Sequence, residues 1–130
     1  MRILILEDDQ RRIDAFNEKI GERCIVEIVK TARLAIQCLT MQKYDVVFLD
    51  HDLGGETYVD PSNENTGSGV VRWMLKNVGF VEDPDIVIHS MNTPAAEAME
   101  RDLKTAYGFV YRVPFPALIK TLPESLNQVF

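Results

Sequence analysis

The sequence predicts one α/β domain over residues 1–130, built as a doubly wound parallel sheet. Three observations predict it. Five short apolar runs alternate with stretches whose apolar residues recur at helical spacing. The chain has 130 residues, 46% hydrophobic and 26% charged, which suits one core rather than two. Polar residues, several of them acidic, collect just after the apolar runs, where an open parallel sheet presents its carboxyl edge.

Each element has its own justification. Arg2–Leu6 (RILIL) is a short continuous apolar run, as expected of a strand buried on both faces. Three acids follow by residue 9 and no small-residue cleavage pattern is present, so the segment reads as a strand and not as an export signal. Asp9–Ile20 carries Ile13, Ala15, Phe16 and Ile20 at helical spacing, and Gly21 marks its end. Cys24–Val29 is the second strand. Thr31–Gln42 opens on an N-cap threonine and puts Leu34, Ala35, Cys38, Leu39 and Met41 on one broad face. Val46–Asp50 is the third strand, and Ser68–Asn77 a helix with Gly79 beyond it. Asp85–His89 (DIVIH) follows Pro84 as the fourth strand. Pro94 then opens a helix through about Ala106. Phe109–Arg112 is a fifth short strand, and Phe115–Phe130 has a weaker helical pattern interrupted by Pro123. Five β-α units joined by right-handed crossovers favour the flavodoxin-like strand order 2-1-3-4-5.

Composition narrows the function classes. With 14 basic against 20 acidic residues and a net charge of −6, no extended nucleic-acid-binding surface is expected. A small anionic ligand at one local site remains compatible with that balance. No apolar run approaches the ~18 residues of a membrane span, so no membrane partner is expected and the chain reads as cytoplasmic. Cys24 and Cys38 lie in apolar segments and read as free thiols of a reducing compartment.

In the order 2-1-3-4-5 the first and third strands straddle the point where strand order reverses, where ligands bind. The first strand ends in Glu7-Asp8-Asp9 and the third in Asp50-His51-Asp52. The fourth ends in His89-Ser90, then Met91-Asn92, and the fifth in Tyr111-Arg112. A single acid there is often a helix cap, and Asp9 suits the first helix. Two acidic clusters at the switch point repel each other unless a cation lies between them. Oxygen ligands suit a hard divalent ion, Mg²⁺ or Mn²⁺, whose coordination a phosphate would complete.

LILEDD, YDVVFLDHDL, TGSGVVRWML and VIHS together resemble the receiver domain of two-component response regulators, over essentially the whole chain. The resemblance implies an acidic pair at Asp8 and Asp9 that holds Mg²⁺ together with Asp50, which would accept a phosphoryl group. It implies a phosphate contact at Ser90. The family's strand-5 lysine, which pairs with the phosphorylated aspartate, falls on Val113; the nearest cation, Arg112, is one residue early and on an extended chain points to the opposite face. The family's Met-Pro after the acceptor gives way to His51-Asp52-Leu53-Gly54-Gly55 and a long loop through Asn65, carrying Glu56, Asp60 and Glu64 over the site. DHDLG with HSMN and the Thr-Gly before the third helix is similar to the cyclic-phosphate-processing receiver branch. That likeness implies action on cyclic phosphates, at RNA ends or on small nucleotides.

His51 and His89 are the only two histidines, both at strand ends. Imidazoles suit acid-base work near neutral pH, and the neighbouring third and fourth strands are expected to let the rings meet. One would activate water or a ribose hydroxyl and the other protonate a leaving oxygen; the alternative is that each bonds a loop carbonyl. Thr66-Gly67-Ser68-Gly69 opens a helix and reads equally as a phosphate cradle or as simple capping. Arg11 and Arg12 engage a phosphate or only balance the adjacent acids, and Trp73 reads as core.

Three functions follow. In the first the chain is a metal-dependent phosphoesterase. Asp8, Asp9, Asp50 and Asp52 hold the metal, and Asp50, His51, His89 and Ser90 do the chemistry, with Asp50 either a metal ligand or a nucleophile that forms a transient aspartyl phosphate. Thr66, Gly67, Ser90, Asn92, Arg11 and Arg112 contact phosphate. In the second it is a stand-alone receiver, phosphorylated on Asp50 by a histidine kinase and acting on a downstream protein. In the third it is a degenerate receiver, which would be expected to have lost its acidic pocket. The paired histidines and the absent lysine favour the enzyme.

Overall fold

The structure, a computed structural model, describes residues 1–20 and 24–122. Its elements are β1 (Arg2–Leu6), α1 (Gln10–Ile20), β2 (Ile25–Val29), α2 (Ala32–Met41), β3 (Val46–Leu49), α3 (Gly67–Lys76), β4 (Asp85–Ile88), α4 (Thr93–Leu103), β5 (Val110–Arg112) and α5 (Phe115–Thr121). The sheet runs β2-β1-β3-β4-β5, every pair parallel, as the alternation of elements requires. The Gly21 stop and the Pro123 interruption lie outside the described residues.

Side chains alternate across β1, β3 and β4 and so fill two separate layers. Ile3, Ile5, Val46, Phe48 and Val87 face α1 and α5, against Phe16, Ile20, Leu118 and Leu122. Leu4, Leu6, Val47, Leu49, Ile86 and Ile88 face α2, α3 and α4. Burial on both sides explains why β1 reads as an unbroken apolar run rather than an alternating one. Trp73 packs on the second layer, as a core residue. Cys24 and Cys38 are free, one against each layer, so the sheet itself separates them.

Caps set the helix starts. Thr31 Oγ1 accepts from the Leu34 amide and Thr66 Oγ1 from the Gly69 amide. Asn92 caps α4, with Pro94 in the first turn. The apolar face of α2 is narrower than the sequence suggests. Ala32, Ala35 and Leu39 are buried, whereas Leu34 and Met41 are exposed, because they lie off the stripe that meets β1 and α3.

The amino edge of the sheet gathers Asp45, Asp83 and Asp85. Burial, then the charges of Asp83 and Asp45, raises the pKa of Asp85. A carboxyl with a raised native pKa binds its proton more tightly in the fold, so it costs stability once pH rises above the unfolded value of about 3.9. Asp85→Asn is therefore expected to raise the melting temperature at pH 7, with the gain shrinking as pH falls toward ~4. An equal gain at both pH values in thermal melts would rule out the electrostatic explanation.

Candidate active site

The parallel register places the site. Leu6 pairs with Leu49, and Leu49 with Ile88. The next residue on each strand, Glu7, Asp50 and His89, therefore arrives at one level. Each shares the parity of the residues facing α1 and α5, so the three side chains turn to the same face. The backbone keeps the level: the Asp50 amide donates to the Leu6 carbonyl at 3.1 Å and the His89 amide to the Leu49 carbonyl at 3.0 Å. Glu7, Asp50 and His89 are all buried, each bringing a ligand atom within 4.8 Å of the others.

Glu7 is the residue that sequence reasoning missed. Its Oε2 accepts from the Asp8 and Asp9 amides at 3.0 and 3.1 Å, and its Oε1 lies 3.1 Å from His89 Nε2. Burial raises its pKa, but the His89 hydrogen bond and charge, the Asp9 amide and the Arg12 charge together bring it below the usual carboxylate value. The parity of Ile3 and Ile5 was the signal that could have found it. Asp9, taken as half of the acidic pair, instead caps α1: its Oδ1 accepts from the Arg11 and Arg12 amides at 2.9 and 3.2 Å. The acid within ligand distance of Asp50 is thus Glu7, while Asp8 and Asp9 line the same cavity. Asp8 Oδ2 accepts from the Gly55 amide at 2.7 Å, fastening the long loop to the site.

Asp50 is 3% exposed and its Oδ1 accepts from the His51 amide at 2.8 Å. Burial, the largest influence, raises its pKa to about 7, with Glu7 adding to the rise and His89 opposing it. The positive charge beside it comes from Arg12. That guanidinium lies 3.6 Å from Glu7 Oε1 and 3.9 Å from Asp50 Oδ2, and 5.2 Å from the centre of the Phe115 ring. Arg11, the arginine carried forward from the sequence, is exposed and does not line the cavity.

The histidines do not meet, which corrects the expectation of a two-imidazole acid-base pair. Asp50 and His51 are consecutive on an extended chain, so their side chains take opposite faces. His89 sits edge-on to Phe16 at 5.3 Å and near Phe115 at 6.4 Å, on the α1/α5 side. The Nδ1 of His51 lies 2.8 Å from Asp52 Oδ1. Both rings are fully buried and neither lines the cavity. Each instead backs a carboxylate that does, His89 behind Glu7 and His51 behind Asp52. Among the described residues, His51 Nε2 and His89 Nδ1 have no hydrogen-bond partner.

Asp52 makes four polar contacts. Besides His51, it accepts from Asn92 Nδ2 at 3.1 Å and from the Tyr58 and Val59 amides at 2.7 and 3.1 Å. Burial pushes its pKa up, but these bonds, His51 first, hold it below the ordinary value. Three of these contacts fall on Oδ1 and one, from Tyr58, on Oδ2, so Asp52 acts as a clamp on the loop while lining the cavity.

The expected phosphate contacts divide in the same way. Ser90 and Asn92 line the cavity, the Asn92 amide donating to Ser90 Oγ at 3.0 Å. Thr66 and Gly67 do not. Thr66 Oγ1 is bonded to the Asn63 carbonyl, and the Gly67 amide donates to the His51 carbonyl at 3.0 Å. A Cβ at Gly67 would fall on the Asp50 carbonyl oxygen and 2.7 Å from Met99 Cε. The glycine thus serves close packing of α3 on the end of β3 rather than a phosphate cradle. Arg112 lies 3.5 Å from Glu100, and Val113 packs against the α1/α5 layer.

Around these groups is a cavity of about 310 Å³, lined at its floor by Glu7, Asp8, Asp50 and Ser90 and on one wall by Gly55, Glu56, Thr57 and Tyr58. The far half of the loop turns away: Asp60 caps the Ser62 amide and Glu64 pairs with Arg72 at 3.0 Å. The donor set fits a hard divalent cation, because two buried carboxylates face one another with only one guanidinium charge between them. The nearby imidazole nitrogen makes it as suitable for Mn²⁺ as for Mg²⁺. No described helix is long and apolar enough to cross a membrane.

Comparison with known proteins agrees with this fold. The chain is similar to a CheY-like response regulator receiver domain from Methylobacillus flagellatus, at 19% identity and TM-score 0.69, over 100% of this chain and 98% of that one. It is similar to the signal receiver domain of a putative Luxo repressor protein from Vibrio parahaemolyticus, at 19% identity and TM-score 0.70, over 98% and 87%. The non-phosphorylated receiver domain of the stress response regulator RcsB from Escherichia coli matches at 17% identity and TM-score 0.69, over 99% and 92%. No curated protein sequence is similar enough to count as a relative. Fold and acidic edge together define a receiver domain. The sequence profile of the Cyclic-phosphate processing Receiver domain matches residues 3–105, and the chain belongs to that family.

Proposed function

We propose that this chain is a divalent-metal-dependent phosphoesterase that opens cyclic phosphodiesters, such as a 2′,3′-cyclic phosphate at an RNA end or on a small nucleotide. One observation carries the reading: Glu7 and Asp50 lie side by side on the floor of an open cavity, and the cation beside them is Arg12 of α1, while the residue just after β5 is the apolar Val113. A receiver that stores a phosphoryl group on aspartate would use a lysine at that place in β5. A site that turns over a bound ester needs instead a base, an anion contact and a water-accessible mouth, and these residues supply all three.

Glu7, Asp50 and Asp8 would hold the metal, which when bound supplies Lewis-acid polarisation of the phosphorus and lowers the pKa of water. The steps assigned to the chain are proton handling and positioning. Asp50 takes the proton of the attacking water as the water oxygen bonds to phosphorus. One ester P–O bond breaks, the departing ribose oxygen gains a proton from solvent, and a monoester remains. Ser90 and Arg12 meet the non-bridging phosphoryl oxygens. The histidines touch no substrate: His89 orients Glu7, and His51 orients Asp52, which in turn holds the loop.

A signalling receiver phosphorylated on Asp50 by a histidine kinase, with a downstream protein partner, is the second reading, favoured by the CheY-like fold. Phosphorus NMR separates the two. With Mg²⁺, repeated turnover of a nucleoside 2′,3′-cyclic phosphate is expected from the wild type and none from Asp50→Asn. An inert cyclic phosphate, with acetyl phosphate consumed only when Asp50 is present, would establish the signalling reading instead.

A further inference from the structure

Tyr58 is the only non-glycine among the described residues with a positive φ, at 52°. Such a backbone is uncommon for a residue with a side chain, and it persists where surrounding contacts over-determine it. Those contacts are present. Asp52 accepts from the Tyr58 amide at 2.7 Å and from the Val59 amide at 3.1 Å, and Asp52 is itself fixed by His51 and Asn92. A half-buried Asp paired with a buried His, together with the cap of α4, thus converges on two adjacent loop amides.

The result of this grip is not burial. The Tyr58 side chain is 76% exposed while lining the acidic cavity. Met91, from the turn between β4 and α4, is 49% exposed and lines the same cavity. Among the described residues, these are the only exposed large apolar side chains that do so. An aromatic face and a polarisable thioether beside a phosphate site match a ligand with a phosphate at one end and a planar ring at the other.

We propose that Tyr58 and Met91 form a stacking subsite for a nucleobase, so that the substrate class is nucleoside cyclic phosphates rather than phosphorylated sugars lacking a base. This rests on the phosphoesterase reading. Asp52 and His51 are positioning residues for the subsite, acting through the Tyr58 backbone.

The test is calorimetric binding of adenosine 2′,3′-cyclic phosphate and of methyl ribofuranoside 2,3-cyclic phosphate, with Ca²⁺ replacing Mg²⁺ to hold the ligand without turnover. Stacking on an aromatic ring predicts that the wild type binds the adenosine ligand about tenfold or more tightly than the sugar ligand. Tyr58→Phe keeps that ratio. Tyr58→Gly, which accepts a positive φ without strain and so preserves the loop, brings the ratio close to one while leaving sugar-phosphate affinity in place. Equal affinity of the wild type for both ligands, or an undiminished ratio in Tyr58→Gly, would overturn the subsite alone. Failure of the wild type to bind either ligand would overturn the phosphoesterase reading and the subsite with it.

Discussion

An Asp50→Asn protein is expected to lose turnover of cyclic phosphates, by a factor of ~10³ or more, and yet to be more stable than the wild type at pH 8 without metal. On the proposed function, the loss follows from removing the assigned base and a carboxylate ligand together. The gain follows from linkage. Asp50 has a native pKa of about 7, raised chiefly by burial, against an ordinary value of 3.8. Between those values the unfolded chain releases the proton and the native state keeps it, so stability falls as pH rises from ~4 to ~7 and stays reduced above. Asparagine keeps the Oδ1 acceptor for the His51 amide and carries no charge, so it escapes that loss. The gain should therefore be small near pH 4.5, full by pH 8, and diminished when Mg²⁺ binds the wild type. Urea unfolding at both pH values, with EDTA and with Mg²⁺, measures it. A variant less stable than the wild type at pH 8, or one that retains turnover, would contradict the role given to Asp50. Stability given up at a buried carboxylate is what a functional site predicts.

Phe16→Ala is expected to destabilise the fold by about 3–5 kcal/mol, the usual range for emptying an aromatic core position. Phe16 is fully buried and its ring lies 5.5 Å from Phe48, 5.6 Å from Phe115 and 5.3 Å from His89. It forms the wall behind the Glu7–His89 pair, so its loss opens a cavity and admits water to the imidazole. Phe16→Leu, which retains most of the volume, should lose markedly less. Urea unfolding midpoints check the pair; similar losses from both, or a loss below ~1 kcal/mol for Phe16→Ala, would show that the ring does not hold this wall.

How far the site was legible depended on the range of the signal. Asp50, Ser90 and Asn92 could be placed on the cavity because each follows a strand whose apolar run marks its own end. Asp9 and Glu7 show the limit. Both follow β1, and only the direction in which each side chain leaves the strand separates a helix cap from a buried partner of Asp50. The expected meeting of His51 and His89 failed for the same reason: neighbouring strands bring backbones together, but alternation decides which side chains share a face. Arg12 could not be distinguished from Arg11 by composition, since only the turn of α1 brings it over Phe115 and toward Glu7. Tyr58 carried no periodic signal, because its position is imposed by the hydrogen bonds that its own amide and that of Val59 donate to Asp52 rather than by local preference.

The sequence by itself determined the five-unit parallel architecture, the two-layer core and the concentration of acids at the carboxyl edge. Each is written locally, in apolar spacing, cap residues and strand ends. The tertiary structure alone decided which acid faces Asp50, that the two histidines stand on opposite faces behind different carboxylates, and that α1 rather than β5 delivers the cation. Those outcomes depend on register and on contacts between residues 40 or more positions apart, such as Glu7 with His89 and Asp52 with Asn92, separated by 82 and 40 residues. Pairings of that kind are settled only when the sheet closes, because they arise from packing between elements and leave no pattern within any one of them.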